Sequence, residues 1–279
     1  MLKIAAFADE ISPDINEQIK VCKANSVTHF ELRGVAGKNV LDFDDALKNE
    51  VKSKLSANGM GVISIGSPIG KVAIDQPWDK HFDRFKIAVD MAEFFNAPYI
   101  RLFSYYPAGG EGKGPTDGIK DEVIKRFNQK VEYLKGRQPI MVHENEKGIY
   151  GEGVEHCRQL IDGVNSPKLR SAFDFANFVQ AGEDPTKNWP ILKPSTVHIH
   201  IKDAIMGTGK VVPAGQGDGG IESILKDAYA SGYRGFLSLE PHLKVAAHSH
   251  GETGAELFKV AADALKAVCK KAGVPLAGV

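Results

Sequence analysis

Short runs in which apolar and polar residues alternate recur along the chain, separated by longer stretches where apolar residues return every three or four positions. The runs fall at 3–10, 28–34, 61–67, 99–105, 139–146, 169–177, 196–203 and 235–242, and they predict eight β-strands. Between them, stretches such as 14–24, 79–95, 120–135, 152–162, 221–230 and 254–271 read as amphipathic helices. Eight such units in 279 residues average about 35 residues each, the size of a βα repeat. Strand and helix alternating this regularly imply a parallel sheet. Eight units favour a closed (β/α)8 barrel, the TIM-barrel architecture of the α/β class, with 1–279 as one domain.

The competing architecture is an open doubly wound sheet, which needs a glycine-rich turn directly after its first strand to seat a pyrophosphate. Here that turn reads Ala8-Asp9-Glu10-Ile11-Ser12-Pro13, acidic and without glycine. Glycine gathers instead after the fourth strand, at 107–115, and after the seventh, at 207–220. The first of these stretches follows its lysine with Gly114 and Pro115, where a phosphate loop requires Ser or Thr. Both are expected to be surface loops, on the barrel face where sites are built and lids form.

Composition narrows the class of function. Lys and Arg number 35 and Asp and Glu 35, so the chain is formally neutral, and no basic stripe suggests a nucleic-acid partner. A hydrophobic share of 43% with 25% charged residues is that of an ordinary folded protein and not of a disordered or fibrous one. Cys22, Cys157 and Cys269 lie too far apart for a thiolate metal motif or a disulfide framework. The N-terminal run is too short for a signal-peptide core, and no apolar run is long enough to span a membrane. The expected location is the cytoplasm.

Alternation along each strand assigns which side chains point into the barrel. In 196–203, Val197, Ile199 and Ile201 face the helices, so His198, His200 and Lys202 point in. In 235–242, Leu237 and Leu239 face the helices, leaving Ser238, Glu240 and His242 inside. In 139–146 the inward set is Val142 and Glu144, extending to Glu146, with His143 near the rim, and in 169–177 it includes Asp174. Strands five to eight thus each bring one acid or histidine to the C-terminal face: Glu144, Asp174, His200 and Glu240. Three carboxylates in a small interior space need an opposing charge. A divalent cation (Mn, Mg, Co or Zn) supplies one and leaves positions open for substrate oxygens. A salt-bridge network with Arg33, Arg101 and Lys202, also expected to point inward, is the alternative. His198 lies deeper and reads as a supporting or core residue. His242, His248 and His250 in the last loop read as solvated histidines, because no carboxylate completes a close ligand set around them.

Five short segments carry a resemblance that covers essentially the whole chain: His143-Glu144-Asn145, Phe173-Asp174, His198-Ile-His200-Ile-Lys-Asp203, Pro213-Ala-Gly-Gln-Gly-Asp218 and Leu239-Glu240-Pro241. In their order and strand positions the chain resembles the xylose isomerase-like superfamily of barrels, and within it the sugar phosphate isomerase/epimerase group that includes ketose 3-epimerases, hydroxypyruvate isomerases and inosose dehydratases. The resemblance implies that Glu144, Asp174, His200 and Glu240 bind one divalent ion, commonly manganese or magnesium. It also implies that Glu144 and Glu240 are the acid/base pair of a proton transfer next to a carbonyl, passing through an enediolate. Many ketose 3-epimerases carry a substrate-binding histidine three residues after the metal aspartate, where this chain has Asn177. His143 and Lys202 are candidates to hold substrate oxygens, with a salt bridge to Asp203 or Glu240 as the other role for Lys202. Arg101 is a further substrate candidate, with ion pairing to a neighbouring strand's acid as its alternative. The implied partner is a small sugar or polyol, and a homo-oligomer is left open. A metal-dependent lyase or dehydratase on the same site and a non-catalytic sugar-binding barrel are the alternative functions.

Overall fold

A computed structural model describes residues 1–114, 116–244 and 253–278. Eight strands form a closed barrel: β1 (Lys3–Ala6), β2 (Val27–Leu32), β3 (Gly61–Gly66), β4 (Tyr99–Leu102), β5 (Ile140–Glu144), β6 (Leu169–Asp174), β7 (Thr196–Ile201) and β8 (Phe236–Leu239). Each strand pairs in parallel with its neighbours in the chain, and β8 closes onto β1 through Lys3 opposite Phe236. Helices fill every connection: α1 (Ile15–Ala24), α2 (Asp45–Ala57), α3 (Trp78–Phe95), α4 (Lys120–Tyr133), α5 (Val154–Val164), α6 (Phe175–Gln180), α7 (Pro185–Leu192) and α8 (Ile221–Ala230), with α9 (Gly254–Ala272) after β8. This is the (β/α)8 architecture that the alternation predicts.

The helix-facing sides of the strands and the inner faces of the helices form one continuous core, in which Ile100, Met141, Phe173, Ile199 and Leu237 meet Phe85, Phe127, Leu160, Leu225 and Phe258. Burying each such side chain contributes about 1.5–3 kcal/mol, so the ring of helices holds the barrel closed. Helix α2 shows a weak sequence pattern because only Val51 and Leu55 of its 13 residues are buried. Among the described residues, no helix is long and apolar enough to cross a membrane.

The strands stop earlier than alternation alone suggests. At the end of β6, the Asp174 side chain accepts the Asn177 backbone N–H at 2.8 Å, which caps α6 and turns residues 175–177 from strand into helix. Beyond β8, His242 takes φ +44°, a left-handed backbone that ends the extended run. After β7 the chain forms a small antiparallel hairpin, Asp203–Ala204 with Val211–Val212, within the glycine-bearing loop.

Candidate metal centre

Four side chains converge at the C-terminal mouth from consecutive strands. Glu144 and Asp174 are the last residues of β5 and β6, His200 lies one residue from the end of β7, and Glu240 directly follows β8. The β6–β7 register sets Asp174 beside His200. His200 Nδ1 lies 3.1 Å from Glu144 Oε1, 3.8 Å from Glu240 Oε2 and 3.9 Å from Asp174 Oδ2. All four residues are buried, and one donor atom from each lies within 4.8 Å of the others.

The oxygens that do not face this centre are held by other groups. Glu144 Oε2 accepts from Arg101 Nη1 at 3.0 Å, Glu240 Oε1 accepts from Arg33 Nη1 at 3.2 Å, and Asp174 Oδ1 takes the α6 N–H. The two guanidinium groups lie over the Phe7 ring, 4.7 and 5.1 Å from its centroid, and the His200 ring meets the same phenyl edge-on. A Cβ on Gly66 would come within 2.9 Å of Phe7 Cε1, so glycine on β3 is what admits that ring to the barrel mouth. Lys202 Nζ sits between Asp174 Oδ2 at 3.1 Å and Glu240 Oε2 at 3.3 Å.

Burial alone drives carboxylates toward the neutral form, and here the neighbours decide how far. For Glu144 burial is outweighed by His200 and Arg101, which hold the carboxyl down at about 2. For Asp174 burial prevails, reinforced by Glu144 and Glu240, and its carboxyl rises to about 6 despite Lys202. Burial also opposes ionisation of Glu240, but Lys202, His242 and His200 keep it well below the usual carboxylate range. His200 is pushed well above the ordinary histidine value because Glu31 and Glu144 outweigh its burial. The centre is therefore short of positive charge at Asp174. Asp174 Oδ2 is buried against the Lys202 ammonium at 3.1 Å and His200 Nδ1 against Glu144 Oε1 at 3.1 Å, so charged groups and not neutral hydrogen-bond partners line the centre. Three carboxylate oxygens and one imidazole nitrogen within 4.8 Å of one another are a donor set that fits one hard or borderline divalent ion.

Residues 19–268 match the family model for the xylose isomerase-like TIM barrel. The chain belongs to that family. Solved structures agree on the fold. D-allulose 3-epimerase from Methylomonas sp., in complex with D-allulose, is 15% identical, with 97% of each chain covered and a TM-score of 0.75. The probable 3-DHS dehydratase AsbF from Bacillus anthracis, involved in petrobactin synthesis, is 16% identical over 95% of this chain and 99% of its own, with a TM-score of 0.73. A xylose isomerase-like TIM barrel protein from Mycobacterium smegmatis, in complex with magnesium, is 15% identical over 97% of each chain, with a TM-score of 0.72. No curated protein sequence is significantly similar to the chain.

In this xylose isomerase-like barrel, other residues named from sequence lie in varied places. Asn177 does reach the centre: its Nδ2 donates to the Asn145 carbonyl at 2.8 Å and approaches Glu144 Oε1 at 3.4 Å. Arg101 and Lys202 are there too, each paired with the centre's carboxylates, so the ligand set and the salt-bridge network expected as alternatives share one space. His143 does not reach it. It shares the helix side of β5 with Met141, packs on Phe127, and its Nε2 meets Ser104 Oγ at 2.9 Å. Asp203 does not pair with Lys202, whose ammonium lies between Asp174 and Glu240. It is fully buried and accepts the N–H groups of Ala204, Gly215, Gly217 and Gly219 at 2.8–3.0 Å, anchoring the loop after β7.

Two acids escaped the sequence reading. Glu31, on the inward side of β2, accepts from His198 Nε2 at 2.7 Å, His200 Nε2 at 3.1 Å and Ser238 Oγ at 2.8 Å, all through one oxygen. The alternation of Phe30 and Leu32 toward the helices carried that signal. Glu10 lies beside His242, whose Nε2 is 3.2 Å from Glu10 Oε1 and 3.5 Å from Glu240 Oε1. His242 is thus a partner of two carboxylates and not a solvated loop histidine. His248 and His250 lie outside the described residues.

Proposed function

We propose that this protein is a divalent-metal-dependent sugar isomerase or epimerase that moves a proton next to a carbonyl. The observation that carries the reading is the pair Glu144 and Glu240, whose Oε1 and Oε2 face the same buried centre from β5 and from the end of β8, with His200 Nδ1 and Asp174 Oδ2 between them. A divalent ion held by Glu144, Asp174, His200 and Glu240 would polarise a substrate carbonyl and stabilise the negative charge that develops on its oxygen. The chain's own groups supply the proton transfer. Both glutamates are held in the carboxylate form, Glu144 at about 2 and Glu240 well below its usual range, so each keeps the free oxygen lone pair that a general base needs. Return of a proton by the second carboxylate to the opposite face of that carbon gives epimerisation, and to the adjacent carbon gives aldose–ketose exchange. Lys202 and Asn177 stand beside the carboxylates as donors for substrate hydroxyls, and Arg101 fixes the Glu144 rotamer. The ion's identity within Mn, Mg, Co and Zn is set by loading and not by these four donors alone.

The structural likeness to a dehydratase keeps elimination as the second reading, since the same proton removal next to a carbonyl precedes loss of a β-hydroxyl. A panel of ketoses, aldoses and oxidised sugars incubated in deuterated water with Mn-loaded protein separates the two by NMR and mass spectrometry. The expected result is deuterium beside the carbonyl with the carbon skeleton and hydroxyl count unchanged. Glu144→Gln and Glu240→Gln, compared at saturating Mn2+, should each lose about a hundredfold or more of that exchange with the fold retained. Loss of water from the substrate would replace this reading with the lyase, and sugar affinity without any exchange would replace it with a binding barrel.

A further inference from the structure

Behind the loops of the barrel mouth, and apart from the metal centre, Lys130 on α4 is fully buried. Its Nζ meets Tyr105 Oη at 2.5 Å and stands 4.6–5.8 Å from the ring centroids of Phe127, Tyr105, Trp78 and Phe85. Among the described residues no carboxylate pairs with it, and Glu122 of the same helix is taken by Lys125 and Arg126. Arg126 stacks on the same Trp78 and Tyr105 rings, 5.2 Å from each, so a second cation already uses those π faces. The other titratable groups around the enclosure are His81 on α3, whose ring is 5.3 Å from that of Tyr105, and His143 on β5, which packs on Phe127. Burial holds both of them at about 3. With no counter-charge, burial drives the Lys130 ammonium well below its ordinary range and Arg126 adds to the shift, while burial pushes the Tyr105 hydroxyl up. The two groups therefore meet as an uncharged amine and an uncharged phenol.

Tyr105 is where the loops of the mouth are tied. Its backbone is held at φ +71°, a left-handed conformation that is unfavourable for a tyrosine. Its N–H donates to the Gly70 carbonyl in the loop after β3 at 3.0 Å, and its own carbonyl accepts the Tyr150 N–H in the loop after β5 at 2.9 Å. The Gly70 N–H donates to His81 Nε2 at 3.2 Å, and Lys71 next to it pairs at 2.6 Å with Glu146, two residues past Glu144. We propose that the Lys130–Tyr105 bond is a proton-operated latch: a proton taken up by Lys130 frees Tyr105 and loosens the loops after β3, β4 and β5 together. An ammonium is poorly held in an enclosure of rings and a guanidinium with no acid, so Nζ withdraws toward water and drops the phenol. The left-handed backbone at Tyr105 then loses the side-chain contact that fixes it. The inference holds whichever reaction the mouth performs.

The test uses the full chain with its lysines labelled with 13C at Cε, followed by NMR from pH 9 to pH 5. One Cε resonance is expected at the uncharged position at pH 7, and Lys130→Met should lack it. An unfolded lysine titrates near about 10.4. Between pH 9 and pH 8 the unfolded chain thus carries a proton that the native amine refuses, and stability falls as pH falls. Over that unit the unfolding constant of the wild type should rise about tenfold relative to Lys130→Met, read by urea titration. Hydrogen exchange reports the latch itself. As the resonance moves to its charged position, protection of the Tyr105 and Tyr150 amides should fall about tenfold or more while that of Ile199 stays constant, and Lys130→Met should show no such step. Tyr105→Phe keeps the ring without the hydroxyl, so it should leave those two amides loosened at every pH, and it decides the matter if Lys130→Met does not fold. Only charged lysine resonances at pH 7, an amine that stays uncharged until the whole chain unfolds, or protection of Tyr105 and Tyr150 that ignores the charging of Lys130 overturns the inference.

Discussion

Glu31 Oε2 lies 3.1 Å from His200 Nε2, across the imidazole from the Nδ1 that faces Glu144, Asp174 and Glu240. A carboxylate in that place accepts the Nε2–H hydrogen bond and raises the basicity of Nδ1. Glu31→Gln is therefore expected to weaken Mn2+ binding about 10- to 100-fold, measured by competition with a chelator, with the circular dichroism spectrum unchanged. Unaltered affinity would reduce Glu31 to a packing role.

His143 predicts a pH dependence of stability. Burial pushes its imidazolium down to about 3, whereas an unfolded histidine titrates near about 6.5. Between those values the unfolded chain takes up a proton that the native state refuses. Stability is then complete above about pH 6.5 and falls as pH is lowered, by about 2 kcal/mol at pH 5 from this residue. His81, also lowered to about 3 by burial, adds a loss of the same sign. His143→Gln can still meet Ser104 but cannot titrate, so its drop in urea stability from pH 7 to 5 should be smaller by about 2 kcal/mol. Equal drops in both proteins would show that His143 is protonated in the fold.

Asp203→Asn is expected to destabilise the protein by about 2–4 kcal/mol, since an amide can accept at only one of its two ends and turns a donor toward the N–H groups of the loop. Accelerated proteolysis between 204 and 220 together with a lowered melting temperature would report it. Wild-type behaviour on both would mean that the four N–H contacts contribute little.

Gly151 abuts the His143 ring, and a Cβ there would stand 2.3 Å from His143 Cε1 and 2.9 Å from Ser104 Oγ. Gly151→Ala should cost about 1–3 kcal/mol in denaturant unfolding. Gly118→Ala, where nothing lies within 4 Å, is the comparison and should stay within about 0.5 kcal/mol of wild type.

Much of the barrel mouth can be read from the chain because inward and outward positions alternate strictly. Ile199 and Ile201 toward the helices put His200 and Lys202 inside, and the same parity brings Glu144 and Asp174 to one place from strands 30 residues apart. Parity also sends His143 outward with Met141, and only its position next to Glu144 suggests a rim role. Glu31 is harder to read, since its partner His198 lies 167 residues away in sequence. Asp203 looks solvent-facing because its ligands are backbone N–H groups, which leave no mark in the side-chain pattern. The cap that Asp174 places on α6 is legible only once the end of β6 is known, and that end is what the cap determines.

Each carboxylate of the centre formed by Glu144, Asp174, His200 and Glu240 offers it a single atom. Arg101 occupies the second oxygen of Glu144, the α6 backbone occupies that of Asp174, and Arg33 occupies that of Glu240. Chelation by both oxygens of one carboxylate is thereby closed off. Calcium, a large ion that seeks six to eight oxygens and commonly takes a carboxylate by both of them, finds too few donors here. Ions of smaller radius and lower coordination number find four, with places left over. Discrimination by size would thus reside in the groups that stand behind the carboxylates, and loosening Arg33 or Arg101 should let the centre accept calcium.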